Sequence, residues 1–155
     1  MERASSAREA IQIMGDLAVE HGFYGSEWDP KDDATYLEAA EALSVTDGSE
    51  AWIFHISSDE TATSAVWVAQ RVPDDHITVV ANQFTIRSVK PNAPDEFMAS
   101  NNLWDVAERI GRWSPDDGLL DFAGTYLCVY MCIASSQQCF AVVTRDMFGL
   151  FSHVT

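Results

Sequence analysis

The period of the apolar positions changes along the chain, and those changes predict its elements. Ala7, Ala10, Ile11, Met14, Leu17 and Ala18 recur at three- and four-residue spacing, as on a helix with one buried face. Ser6-Ala-Arg-Glu9 precedes them as a capping box. In it the Ser6 hydroxyl accepts from the Glu9 amide, and Glu9 reaches back to the Ser6 amide. Gly22 follows His21 as a stop, so the spacing predicts a helix over Ala7–His21. Residues 24–31 hold Gly25, Ser26, Asp29 and Pro30 and read as a loop. The acidic continuation to Ala40 reads as loop or short helix.

A period of two then takes over. Residues 42–46 and 50–56 flank Asp47-Gly48, a hairpin signal because both residues tolerate positive φ. In the second strand Trp52, Phe54 and Ile56 project to one face, and Ala51, Ile53 and His55 to the other. Both faces are apolar, which places this strand inside a layered structure. Residues 57–63 read as a turn. Ala65–Val72 is a third strand, with Val66, Val68 and Gln70 on one face and Ala65, Trp67, Ala69 and Arg71 on the other. Pro73-Asp-Asp75 ends it, since proline supplies no amide and Asp favours turns. Residues 77–87 are rich in β-branched side chains and predict a fourth strand beside the third. The expected order is one helix, then an antiparallel four-stranded meander.

Pro91 and Pro94 make residues 90–95 a loop. Asn101 or Asn102 can cap a helix carrying Leu103, Val106, Ala107 and Ile110, stopped by Gly111. Ser114-Pro-Asp-Asp-Gly118 is turn chemistry ahead of a short helix at 119–123. Helices and strands are segregated rather than alternating, which predicts an α+β fold.

Composition narrows the function. The chain has 155 residues, 47% of them hydrophobic, enough for one domain with a core. Its net charge of -15 argues against nucleic acid, whose phosphates need clustered Lys and Arg, and against an anionic membrane surface. A cationic partner or a neutral small substrate remains open; otherwise the acidity serves solubility. Met1-Glu-Arg-Ala-Ser-Ser leads directly into the amphipathic helix, without the apolar run of a signal peptide. Residues 127–134 are apolar but too short to span a bilayer. The charge is uneven: after Tyr126 the only charged side chains are Arg145 and Asp146, and Cys128, Cys132 and Cys139 all lie there. The three read as buried or free thiols.

No catalytic engine is visible in the residues alone. His21, His55, His76 and His153 do not pair at metal-ligand spacing, and HExxH, GxSxG, P-loop and GxGxxG patterns are absent. No metal and no cofactor is expected. His55 reads as a partly buried, hydrogen-bonded core residue, and Asp74-Asp75-His76 as a solvated turn. Two residues stand out against their strands: Arg71, closing the third on the face of Trp67, and Asn82, interrupting the fourth. Asn82 reads either as a local hydrogen-bonding residue at a strand end or as a rigidly held amide. Such an amide can donate to a developing oxyanion.

Several segments together carry a family resemblance: Ala42-Leu-Ser-Val-Thr-Asp47, Glu50-Ala-Trp-Ile-Phe-His-Ile56, Ala65-Val-Trp-Val-Ala-Gln-Arg-Val-Pro-Asp-Asp-His-Ile77, Val80-Ala-Asn-Gln83 and Trp113-Ser-Pro-Asp-Asp-Gly118. They resemble the cysteine-type dipeptidases of the N-terminal-nucleophile (Ntn) hydrolase superfamily, relatives of secernins, bile-salt hydrolases and penicillin V acylases. The resemblance covers residues 1–125 as a partial domain and leaves 126–155 as a divergent tail.

It implies an αββα sandwich of which this chain holds part. It also implies hydrolysis of small peptides by an N-terminal cysteine thiolate, with the free α-amino group as base. Asn82 falls where the superfamily places an oxyanion-binding Asn, and Gln70 and Arg71 become candidates for lining the substrate site. The nucleophilic Cys has no counterpart, so the chain is expected to be an internal fragment, inactive without the N- and C-terminal parts of the fold. An N-acyl amidase of the same superfamily and a non-catalytic, secernin-like interaction protein are the alternatives. The T-, G- and A-rich codons of Tyr126-Leu-Cys-Val-Tyr-Met-Cys-Ile133 point to a retained intron or gene-model error, testable by comparing transcript with genome.

Overall fold

The computed structural model describes residues 3–23, 40–61, 63–80, 83–126 and 140–143. The expected loop at 24–31, its continuation up to residue 39 (loop or short helix), Asn82 and the three cysteines lie outside them.

Helix α1 (Ala7–His21) forms where the apolar stripe predicts it. Ser6 caps it through its hydroxyl, which accepts from the Glu9 amide at 3.2 Å. The reciprocal half of the box is displaced by one residue. The Glu9 carboxylate accepts from the Ser5 amide and hydroxyl, at 2.7 and 2.6 Å, and these bonds hold its carboxyl below the usual pKa. Gly22, at φ +84°, ends the helix, its amide donating to the Ala18 carbonyl at 2.9 Å. The buried face is Ala7, Ala10, Ile11 and Gly15, whereas Leu17 is exposed. Gly15 explains this departure from the expected stripe. A Cβ there would overlap Cε2 and Nε1 of the Trp67 indole, so the helix turns its bare backbone toward the largest side chain beneath it.

The strands β1 (Ala40–Thr46), β2 (Ala51–Ser58) and β3 (Ala65–Val72) form an antiparallel meander. The Asp-Gly signal does mark the first hairpin, but by another mechanism than expected. Gly48 keeps a negative-side φ, and the loop spans four residues between the paired Thr46 and Ala51. The Asp47 carboxylate organises it. Oδ1 accepts from the amides of Ser49 and Glu50, at 2.6 and 3.0 Å, and Oδ2 from the Ala7 amide of α1 at 2.7 Å. One side chain thus closes the hairpin and satisfies a first-turn amide of the helix.

The predicted fourth strand is corrected. Strand β4 covers Ile77–Val80, residues 84–87 are not strand, and the partner of β4 is not β3. Pro73 cannot donate, and a turn closed by the His76 amide on the Pro73 carbonyl (3.0 Å) redirects the chain. After residue 83 the backbone runs irregularly, with Phe84 and Ile86 buried, into β5 (Ser88–Val89). The place beside β3 goes to β6 (Phe97–Ala99), giving the sheet order β1-β2-β3-β6. Ser100 secures it: its hydroxyl accepts from the Trp67 amide, and its amide donates to the Trp67 carbonyl.

Helix α2 (Leu103–Arg109) follows, and Gly111 at φ +68° stops it. Asn102 stands at its N-cap, but the side chain does not cap. Instead Nδ2 donates to the Ala65 carbonyl at 3.0 Å, tying the helix to the sheet. Ser114 and Asp117 brace a single 3-10 turn, the Ser114 amide and hydroxyl both donating to Asp117 Oδ2. The expected helix at 119–123 begins later. Leu120 and Asp121 form β7 against β5, and α3 runs Phe122–Tyr126. Strand β8 (Phe140–Val143) pairs with β4.

Two cores result. On one face of the sheet, Ala7, Ala10 and Ile11 of α1 pack on Trp52, Phe54, Ile56, Ala65, Trp67 and Ala69. On the other, Ile53, Val66 and Val68 meet Val80, Phe84, Ile86, Leu103, Val106, Phe122 and Tyr126. The two-sided burial predicted for β2 holds at all eight of its residues. The fold is α+β, as expected, with the helix-on-sheet layering of a partial sandwich. Among the described residues no helix is long and apolar enough to cross a membrane.

Candidate active site

Gln70 and Arg71 are neighbours on β3 and so project to opposite faces of the sheet. Arg71 lies opposite Trp52, on the α1 side. Its Nη2 donates to Asp74 Oδ1 at 2.6 Å and its Nε lies 3.4 Å from Glu50 Oε2. Glu50 also holds Arg8, at 3.0 Å, and the Arg8 guanidinium sits 4.6 Å from the centre of the Trp52 ring. The four charges form a belt around the end of the first core. Gln70 is exposed and lies between Ile53 and Phe97, on the side of the second core. The two residues therefore do not line one wall.

Asn82 is outside the described residues. The residues beside it in the chain belong to the second core: Val80 ends β4 and is buried, and Phe84 is buried against His55. Gln70 and these flanks thus share a side of the sheet, which Arg71 does not.

His55 departs from the expected hydrogen-bonded role. It is fully buried, and neither ring nitrogen has a hydrogen-bond partner among the described residues. The imidazole stacks on Phe84, centroids 4.7 Å apart, and lies 6.0 Å from Phe122, which continues through Tyr126 at 4.9 Å. Loss of water around the ring lowers its pKa from 6.5 to about 4, so it packs as a neutral aromatic. Nothing in the sequence marks this, because an alternating strand places a His inward without showing what faces it.

Two residues further along that face is a cleft of about 120 Å³, lined by Ser57, Asp59, Glu60, Arg112 and Tyr126 among others. Three of its polar walls are engaged by groups behind the lining. Glu60 pairs with Arg109, Arg112 donates to the Thr125 carbonyl at 2.8 Å, and Tyr126 donates to the Leu103 carbonyl at 2.8 Å. Burial raises the Tyr126 phenol above its ordinary pKa. Asp75 and His76 form an exposed pair at 2.6 Å in the turn before β4, as the turn reading expects. Among the described residues no cluster of three or more His, Cys, Asp or Glu is placed to hold a metal.

Residues 1–126 match the model of peptidase family C69. The chain belongs to that family, a cysteine peptidase family of the Ntn type. It is 30% identical over 125 residues to a probable dipeptidase of Salmonella dublin, covering 79% of this chain and 24% of that protein. It is 31% identical over 99 residues to a probable dipeptidase of Latilactobacillus sakei, covering 64% of this chain and 17% of the relative. A probable dipeptidase A of Streptococcus pyogenes is 27% identical over 103 residues, 66% of this chain and 18% of that protein. The chain spans about a quarter or less of the length of these relatives. No solved structure matches it.

Proposed function

We propose that this chain carries the supporting segment of a cysteine-type dipeptidase site and does not hydrolyse dipeptides by itself. One observation carries the reading: the family match ends at residue 126, and Cys128, Cys132 and Cys139 all lie beyond it. The matched stretch therefore contains no thiol to attack a peptide carbonyl, and without the nucleophile the covalent route is closed. What remains is binding and electrostatic stabilisation. Asn82 is the oxyanion donor in this reading, and Gln70, on the side of the sheet where Val80 and Phe84 pack, lines the substrate site. Arg71 acts at the opposite face, where Glu50 and Asp74 already engage it. The tail expected from residue 126 onward starts in this reading after Tyr126, where the family match ends, and is distinct from the matched domain.

The test is an assay of the purified 155-residue chain and its Asn82→Ala variant against a panel of unmodified dipeptides. Neither is expected to release amino acids above the protein-free rate. Sustained hydrolysis by the unaltered chain, lost in Asn82→Ala, would overturn the reading.

A further inference from the structure

Strand β4 has an unusual partner. The family match ends at residue 126, yet β4 pairs with residues 140–143, antiparallel, in the register Ile77–Val143, Thr78–Val142, Val79–Ala141 and Val80–Phe140. Among the described residues no strand inside the matched stretch takes that position. The edge needs an occupant. Thr78 is half-buried and Val80 buried, which fixes the strand's inner face against the second core, and the amides and carbonyls along its edge require partners. Ile77 and Val79 face outward at 42% and 49% exposure, two β-branched residues on one face of a short strand. A strand edge whose amides and carbonyls are left unpaired templates pairing with any extended segment.

We propose that β4 is a strand-acceptor edge, filled in this chain by its own tail segment Phe140–Val143. The tail acts as an intramolecular donor strand, a form of β-strand addition. Four paired residues in a two-stranded ribbon are marginal in water, so the tail is a displaceable occupant rather than a permanent member of the core. The inference is independent of hydrolysis.

The test uses the full chain and an Ala141→Pro/Val142→Pro double variant. Successive amides of a strand point to opposite sides, so one of the two prolines removes a donor facing β4. Hydrogen exchange is followed at Ile77–Val80, with Ile53–Ile56 and Val66–Ala69 as the internal record of folding. A synthetic peptide of residues 137–146 and a scrambled version are then added. The expected result is exchange at Ile77–Val80 faster by about tenfold or more in the variant, with β2 and β3 unchanged. The native peptide, and not the scrambled one, should restore the protection. Equal exchange at Ile77–Val80 in both proteins would overturn the proposal. So would a folded variant that the peptide fails to protect, or loss of β2 and β3 protection together with β4, which would make the tail part of the core.

Discussion

The two faces of the central sheet are built in different ways. The α1 face is covered by one regular helix whose capping, stripe and stop are all local, and its centre is two tryptophans and a phenylalanine. The opposite face is covered piecemeal, by the irregular run at 83–89, α2, α3 and β4, and has a histidine in its interior. The first face is held by shape, the second by the tolerance of an aromatic cluster for a neutral imidazole. Each way of building fails differently under substitution, and the comparison can be broken there.

The largest effect is expected at Trp67. It is buried under α1, so Trp67→Ala should cost about 3–5 kcal/mol by urea denaturation. A loss below about 1 kcal/mol would mean that the helix does not depend on the indole.

His55 tests the second face. The folded chain holds the ring neutral, with a pKa of about 4 against 6.5 when free. The unfolded chain therefore binds a proton that the folded chain does not. Stability from this group is complete above pH 6.5, falls as pH drops toward 4, and levels off below that. The full swing is about 3 kcal/mol. His55→Phe should flatten the stability profile between pH 6.5 and 4 while the α1-face variants keep it. A profile of equal slope in His55→Phe would show that other groups titrate there.

Gly15→Ala sharpens the first face. The added methyl gains up to about 1 kcal/mol of helix propensity. Overlap with the indole should outweigh that gain, for a net loss of about 1–2 kcal/mol. The double variant Gly15→Ala/Trp67→Ala should lose less than the two single losses summed, because the clash disappears with the ring. Strict additivity would separate the two residues.

Asp47→Ala removes acceptors for Ala7, Ser49 and Glu50 and should cost about 1 kcal/mol. The smallest effect is expected at Arg71. Its ion pairs are partly exposed, so Arg71→Ala should lose less than about 1 kcal/mol, and less still in high salt. A larger loss that salt does not change would point to packing of its stem against the tryptophans.

Much of the first face is legible in consecutive residues. Ser6, the apolar spacing and Gly22 delimit α1, and alternation in β2 and β3 assigns every side chain to its face. The second face is less so. Asn82 and Arg71 stand out by residue type and Gln70 by resemblance, and alternation puts Gln70 and Arg71 on opposite faces, but only the packing shows which core each face meets. His55 looked like an ordinary polar core residue because a strand pattern says which way a ring points and not whether a partner waits there.

By itself the sequence determined the helix, the hairpin, the third strand, the α+β class and the family. These rest on periodicity, turn chemistry and motif, all properties of residues close together in the chain. The tertiary structure alone decided that β6 rather than β4 flanks β3, that the tail strand pairs with β4, and that Gly15 seats Trp67. It also decided that Asp47 caps a helix forty residues away and that His55 is buried with no hydrogen-bond partner among the described residues. The physical reason is that β-branched composition suits a strand to any edge. Which edge it meets, and which buried polar atom is left without a partner, depends on groups that only folding brings together.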